Sequence, residues 1–200
     1  MAILVDKDKK RRDIALSCKS LLLDRGMRKL TISEIAKVAG VGKGTIYEYF
    51  ANKDDIIFEI IKSFIEYHEK RLQEVAASDI PTKEKILSFF FLFFDDEMAK
   101  KQLSIYREYI SVSLSNPADD FIEFAKNSNE KFNKIITKIT KDAISKGELK
   151  EQSLVILKNI QIYHSGLIVE SLKNRVYTKE NINTFIDAIF ELMENKNENN

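Results

Sequence analysis

The sequence is short of cysteine, proline and glycine, and it has no tryptophan. Its 200 residues include one cysteine, two prolines and six glycines. The single cysteine, Cys18, cannot form an internal disulfide, which excludes a disulfide-stabilised scaffold. Cys18 falls on the apolar stripe of its helix, so the pattern favours a small buried side chain over a reactive thiol.

Long apolar runs are also missing. No stretch of about 18 apolar residues occurs, so the sequence predicts no membrane-spanning helix. The N-terminal Ile3-Leu4-Val5 is far shorter than the roughly 7–15 apolar residues of a signal-peptide core. We therefore expect a cytoplasmic protein.

Motifs for catalysis and metal binding are absent as well. The sequence has no P-loop, dinucleotide fingerprint, G-x-S-x-G elbow or H-E-x-x-H pair, so we expect neither an enzyme nor a cofactor. The two histidines, His68 and His164, lie far apart in the sequence. Neither has a cysteine or carboxylate at ligand spacing, so no metal site is expected.

The net charge of +1 says little, but the charges are unevenly distributed. Residues 1–53 carry 12 Lys or Arg against six Asp or Glu, whereas the remaining 147 residues carry 20 basic and 25 acidic groups. This asymmetry is typical of an N-terminal DNA-contacting domain attached to an acidic C-terminal domain. A basic surface that only faces solvent would give the same asymmetry.

Apolar residues recur at helical spacing along the chain, without convincing strand alternation or an Asn-Gly hairpin. The pattern predicts an all-α fold of nine helices. They are expected at about 6–24, 32–39, 43–50, 53–77, 82–94, 97–114, 118–146, 151–174 and 178–194. Gly26 is suited to a left-handed cap, Thr31 and Glu34 have the form of a capping box, and Asn52 is expected to cap the fourth helix.

Two short helices joined by Gly40-Val41-Gly42 have the sequence form of a helix-turn-helix. At 100° per residue, Ile46 and Phe50 share the side of the second helix that would pack on the preceding helices. The opposite side carries Gly44 and Glu48, with Thr45 and Tyr47 flanking them and Lys43 and Tyr49 at the margins. This arrangement suits a major groove, because glycine permits close approach and the other residues offer hydroxyls, a ring and an ammonium.

Glu48 leaves two interpretations open. A carboxylate that faces DNA is repelled by phosphates, and the base-edge donors it suits are amino groups such as cytosine N4. Either Glu48 reads such a base, or it points along the groove toward solvent or a basic neighbour. The second, neutral role is favoured.

The segment TISEIAKVAGVGKGTIYEYFANKDDI, from Thr31 to Ile56, resembles the signature of the TetR family of one-component regulators. The matching features are the TxxxIA start, the AGV turn, the GTIYxYF recognition helix and the Asn-Lys-acidic-acidic start of the fourth helix. The resemblance covers about residues 8–60. It implies a nine-helix TetR-like architecture with a three-helix DNA-binding head, a homodimer formed through the last two helices, and a body that binds a small molecule to release the operator.

The resemblance also implies roles for individual residues. Base-facing roles fall on Ser33, Lys43, Gly44 and Tyr47, and phosphate-facing roles on Thr31, Thr45, Tyr49 and Lys53. Ser33 is short and reaches at most the DNA backbone. Glu48 occupies a variable position of the family, which leaves its role open.

The last two predicted helices are apolar on more than one side. A helix that is buried both by its own domain and by a partner subunit has this pattern. The candidate dimer residues are Leu157, Ile160, Gly166, Leu167, Phe185 and Ile189. Burial of both helices inside a monomer is the alternative.

The run from Phe89 to Phe94 is interpreted as core, pocket wall or membrane contact. Charged flanks on both sides argue against a membrane contact, and core packing is favoured for most of the rings. A pocket needs apolar walls with a few polar groups. The candidate effector residues are Phe64, Phe89, Phe90, Phe93, Tyr106, Tyr109, Tyr163 and His164, each weighed against ordinary packing.

The leading hypothesis is therefore a homodimeric repressor that binds double-stranded DNA at a pseudo-palindromic operator and responds to a small hydrophobic effector. The alternative is an effector-independent architectural or constitutive DNA-binding protein. We expect the DNA-binding domain at residues 1–52, the effector-binding and dimerisation domain at 53–195, and a disordered tail at 196–200.

Overall fold

The computed structural model describes residues 6–92, 96–113, 119–171 and 179–195. These residues form eleven helices and one isolated bridge, between Leu149 and Glu194, with no strand among them. The helices are α1 (Lys7–Ser17), α2 (Lys19–Arg25), α3 (Ile32–Ala39), α4 (Lys43–Tyr49), α5 (Lys53–Ala77), α6 (Thr82–Phe91), α7 (Glu97–Ser113), α8 (Asp119–Ser145), α9 (Ser153–Lys158), α10 (Ile160–Ser171) and α11 (Lys179–Met193). The predicted all-α class is confirmed. None of these helices is both long and apolar enough to cross a membrane.

Two of the nine predicted helices are each interrupted once. At Cys18 the backbone turns to φ −93° and ψ 1°, which separates α1 from α2. At Asn159 it turns to φ −96° and ψ −1°, which separates α9 from α10. At both breaks the N–H bonds to the carbonyl three residues earlier, at 3.1 Å, as in the tighter turn of a 3₁₀-helix. Counting each interrupted pair as one helix gives nine across the described residues.

The chain forms two compact units, whose boundary falls inside α5 rather than at its start. Unit 1 comprises residues 1–66 and 100–117, and unit 2 comprises residues 67–99 and 118–200. Both α5 and α7 therefore contribute to both units. The first 52 residues share unit 1 with the first half of α5 and most of α7.

Unit 1 is built around the N-terminal half of α5. Every side chain from Ile56 to Ile61 is buried, so this stretch of helix is enclosed on all sides. The other apolar core positions of this unit include Ile14, Ala15, Cys18, Leu22, Leu30, Ile35, Ile46, Phe50, Phe64, Leu103 and Ile105. Burial raises the pKa of the Cys18 thiol, which agrees with a small core side chain.

The helix ends in unit 1 are formed by the residues that the sequence indicated. Thr31 and Glu34 make the reciprocal capping box that starts α3. Gly40 ends α3 in the left-handed conformation, at φ 66° and ψ 30°. Asn52 Oδ1 accepts the N–H of Asp55 at 2.9 Å, as an N-cap does. These caps fix where α3 and α5 begin, and therefore the turns on either side of α4.

Unit 2 packs α6, α8 and the last three helices around an apolar interior. The buried positions on α8 are Phe132, Ile135, Ile136, Ile139, Thr140 and Ala143, which recur at helical spacing. On α11 they are Ile182, Ile186, Phe190 and Met193. The Lys150 N–H and the Met193 carbonyl are 2.9 Å apart, which joins the α8–α9 turn to the end of α11.

Candidate nucleic-acid interface

Helix α4 has one buried side and one exposed side. Ile46 and Phe50 are buried in unit 1, as the helical wheel predicts. Lys43, Gly44 and Glu48 are exposed, and Tyr47 is 59% exposed despite its large ring. Thr45 and Tyr49 are half-buried at the edges of the exposed side. The residues assigned to DNA therefore share one accessible surface, which we call the reading face: Lys43, Gly44, Thr45, Tyr47, Glu48 and Tyr49.

Gly44 is not required by the fold. A Cβ placed on it would meet no other atom within 4 Å, and its backbone is not in the left-handed region. Inside a helix, glycine is less favourable than alanine by about 1 kcal/mol. The chain thus keeps glycine where alanine would fit, on the side of α4 that points away from the core. Glycine there leaves room for the close approach of another molecule.

Arg11 on α1 fixes the end of the recognition helix. Its guanidinium donates to the carbonyl of Tyr49 and to the carboxylate of Asp55, and its Nε donates to Glu59 Oε2 at 3.3 Å. The same group lies 4.4 Å from the centre of the Phe50 ring. Burial lowers the pKa of Arg11, but the hydrogen bonds and charges of Asp55 and Glu59 together outweigh that effect and raise it. Arg11 was missed in the sequence because its partners are 38 to 48 residues away.

Two of the expected phosphate contacts already have internal partners. The Thr31 hydroxyl donates to Glu34 Oε2 at 2.8 Å, and this bond, with the charge of Arg25, lowers the pKa of Glu34. Lys53 Nζ donates to the carbonyl of Met27 at 3.1 Å. An ammonium has three N–H donors, so Lys53 keeps two for a phosphate. Ser33 is exposed on α3, in the same unit as the reading face.

The candidate effector residues fall into two groups. Phe64, Tyr106 and Tyr109 belong to unit 1, where the ring of Tyr109 stacks on Phe58 with centroids 5.8 Å apart. Phe89, Phe90, Tyr163 and His164 belong to unit 2. Phe93 lies outside the described residues.

The two histidines of the chain meet inside unit 2. His68 on α5 is 1% exposed, and His164 on α10 is 5% exposed. The His164 ring lies 4.6 Å from Phe89 and 5.9 Å from Phe90. Burial, and then the charge of His68, lower the pKa of His164 to about 4. The two histidines are far apart in the sequence, and the fold brings them close enough for the charge of His68 to act on His164.

The candidate dimer residues are not equally accessible. Leu157, Ile160 and Leu167 are buried within their own unit. Phe185 is half-buried and stacks on Tyr163 with centroids 3.8 Å apart, and Ile189 is half-buried too. Gly166 is exposed. Large apolar side chains that the sequence analysis did not select are exposed nearby: Val155, Ile156, Ile162, Val169 and Leu192.

Comparison with known proteins supports the same interpretation of the N-terminal region. The model of a family described as bacterial regulatory proteins, tetR family, matches residues 19–60. This match runs from the start of α2 into α5 and includes the whole reading face.

Curated relatives extend the likeness to most of the chain. The HTH-type transcriptional repressor KstR2 of Mycolicibacterium smegmatis is 25% identical over 142 residues, which is 70% of this chain and 68% of that protein. The fatty acid metabolism regulator protein of Bacillus subtilis is 28% identical over 178 residues, or 86% of this chain and 88% of that protein. Other relatives named KstR2 match over about half of their length.

A solved structure shows the same fold. A transcriptional regulator from Saccharomonospora viridis, in complex with choline, superposes with a TM-score of 0.72 at 16% identity. The superposition covers 94% of this chain and 100% of that one.

We predict that His164 makes the stability of the protein dependent on pH. The pKa of His164 is about 4 in the folded chain and about 6.5 when unfolded, so between these values only the unfolded chain binds the proton. The free energy of unfolding should therefore decline as pH falls from 6.5 to 4, by about 3 kcal/mol from this group alone. Urea titrations across this range should give a flatter profile for His164→Leu than for wild type. Parallel profiles would contradict the prediction.

Proposed function

We propose that this chain, which belongs to the TetR family of transcriptional regulators, is a homodimeric repressor that binds a pseudo-palindromic operator and is released by a small hydrophobic effector. The observation that carries the proposal is the reading face of α4, which exposes Lys43, Gly44 and Tyr47 together. Relatives named as transcriptional repressors support repression rather than activation. A regulator of DNA works where the chromosome is, so we place it in the cytoplasm.

DNA contact is assigned within residues 1–52 and to Lys53, by the chemistry of the exposed groups. Gly44 lets the backbone approach base edges, Tyr47 presents its ring to a thymine methyl, and Lys43 reaches guanine O6 or N7. Thr45, Tyr49, Lys53, Thr31 and Ser33 face the DNA backbone, where hydroxyls and ammonium groups bind phosphates. Glu48 keeps its neutral role, pointing along the groove.

Dimerisation is assigned to an exposed apolar stripe on the last three helices. Val155, Ile162, Gly166 and Val169 are spaced at helical intervals along α9 and α10, and Leu192 is exposed on α11. A Cβ on Gly166 would meet no atom of its own chain, so glycine there serves the close approach of a second helix. We therefore move the proposed contact from Leu157, Ile160 and Leu167, which pack inward, to their exposed neighbours.

Effector binding is assigned to the body, residues 53–195. The aromatic cluster of unit 2 brings Phe89, Phe90 and Tyr163 together with His164. Such a cluster offers an apolar surface with a few polar groups, as ligand sites do. A structural relative was solved in complex with choline, which supports the proposal of a small-molecule site in the body.

We predict that the reading face is required for operator binding. Duplexes selected by the wild-type protein from a random library provide the probe, and fluorescence anisotropy measures affinity. Tyr47→Ala and Lys43→Ala should each weaken binding by about fivefold to 150-fold, because a good base contact is worth about 1–3 kcal/mol. The matched control is Tyr67→Ala in unit 2, since Tyr67 is 55% exposed and Tyr47 is 59% exposed. Wild-type affinity in both reading-face variants would rule out the assignment.

We predict that a charge in the exposed stripe separates the dimer. Ile162→Glu and Leu192→Glu each place a carboxylate at a side chain that is 71% exposed in the single chain. Analytical ultracentrifugation should report monomers for these variants, because an unpaired charge buried in an interface is strongly unfavourable. Ile122→Glu on α8 is the control, at a side chain that is 51% exposed. A dimer that survives both substitutions would place the interface elsewhere.

We predict that a hydrophobic ligand stabilises the protein and releases DNA. A compound that binds only the folded chain raises its melting temperature in proportion to the logarithm of ligand concentration over Kd. Fatty acids, acyl-CoA compounds and hydrophobic drugs form the test panel for thermal shift, followed by displacement of the selected duplex. If no member of the panel shifts the melting temperature, the effector-independent DNA-binding function is favoured instead.

A further inference from the structure

Met27, in the α2–α3 turn, has both of its backbone hydrogen-bonding groups bound by side chains from distant helices. The N–H of Met27 donates to Glu108 Oε2 on α7 at 3.0 Å. The carbonyl of the same residue accepts from Lys53 Nζ, at the start of α5, at 3.1 Å. Both bonds involve an ionised side chain, which makes them stronger than bonds between neutral groups. All three residues belong to unit 1.

The turn that these bonds hold has an unusual backbone. Gly26 has φ 78° and ψ 168°, a conformation that is essentially restricted to glycine. Such a conformation persists where surrounding groups determine it. Glu108 is such a group, because its carboxylate also pairs with Arg28 Nε at 3.5 Å, one residue beyond the held peptide. The Met27 side chain is buried in the core, which adds a third attachment of the turn to the rest of the unit.

The turn leads directly into the DNA-facing part of the unit. Thr31, four residues after Met27, is the N-cap of α3, and α3 packs against α4. The position of the Met27 peptide therefore sets where α3 starts and how the reading face is presented. Lys53 connects the same peptide to the start of α5, just after the end of α4.

We propose that Glu108, on α7, is a positioning residue for DNA binding, holding the Met27 peptide so that α3 and α4 present the reading face. This inference rests on the proposed function of α4 in DNA binding. It assigns to DNA recognition a residue that lies 48 positions beyond the segment matched by the family. Glu108 acts through the turn and does not itself touch DNA.

The direction in which DNA affinity changes distinguishes a positioning role of Glu108 from a purely electrostatic one. Removing a carboxylate from a DNA-binding unit reduces repulsion of the phosphates and, by itself, raises affinity. A positioning role predicts weaker DNA binding for Glu108→Ala, because the Met27 N–H then loses its acceptor. Glu108→Gln keeps an oxygen that accepts this N–H while removing the charge, so it should preserve the geometry.

The experiment measures affinity of the full-length protein for the duplex selected by wild type, at a temperature where every variant is folded. Glu108→Ala should weaken binding roughly tenfold, the equivalent of one charge-assisted hydrogen bond, with an unchanged slope of log affinity against log salt. Glu108→Gln should stay within about twofold of wild type or bind more tightly. Hydrogen exchange at the Met27 amide should accelerate in Glu108→Ala and remain protected in Glu108→Gln.

The control variant is Asp24→Asn, which removes a carboxylate of the same unit without touching the turn peptide. Asp24 pairs with Lys101 Nζ at 3.2 Å, also between α2 and α7, so this variant breaks a parallel link of the same charge type. Its affinity should equal or exceed that of wild type.

Equal or tighter binding by Glu108→Ala would overturn the positioning role while leaving the proposed function in place. If wild type selects no duplex at all, the proposed function itself fails, and the positioning role with it.

Discussion

The proposed DNA-facing surface depends on the hydrogen bonds and ion pairs of one guanidinium, that of Arg11. Arg11 binds the last carbonyl of α4, stacks against the ring of Phe50 and pairs with Asp55 and Glu59 on α5. The carboxylate of Glu59 is buried, and an isolated buried charge costs several kcal/mol. Arg11 and Lys62 together neutralise it, which allows α5 to run through the centre of unit 1. The end of the recognition helix is thereby fixed to two other helices.

Glycine is used in this unit for two separable reasons. Gly26 and Gly40 adopt positive φ angles that side chains disfavour, so the backbone of the turns requires them. Gly44 has ordinary helical geometry and open space around it, so the chain forgoes the helix stability that alanine would add. A residue that costs stability and satisfies no internal need is best explained by an external partner. The helix ends and the reading face thus use glycine under different constraints.

Features that depend on short spacing were predictable from the sequence, and those that depend on long-range packing were not. The capping box of Thr31 and Glu34, the N-cap at Asn52 and the buried side of α4 all follow from residues within one or two helical turns. Arg11, Glu108 and the His68–His164 pair involve partners separated by 38 to 96 residues. The residues next to these side chains in the sequence do not indicate such distant partners, so helical periodicity could not identify them.

The two units differ in how they accommodate buried polar groups, and this difference bears on their roles. In unit 1, the half-buried Arg11 is paired with Asp55 and Glu59, so it remains charged and its bonds are directional. In unit 2, burial, and then the charge of His68, lower the pKa of His164 to about 4, so the imidazole among the rings is neutral at pH 7. A network of ion pairs fixes one arrangement, which suits a surface that must match DNA. Aromatic rings around a neutral imidazole impose weaker directional demands, because most of their contacts are dispersive. The last carbonyl of α4 is held by Arg11, which also pairs with Asp55 and Glu59 on α5, so a shift of α4 would disturb a directional, charge-assisted hydrogen bond. The ring contacts of Phe89 and Phe90 with His164 tolerate small displacements more readily.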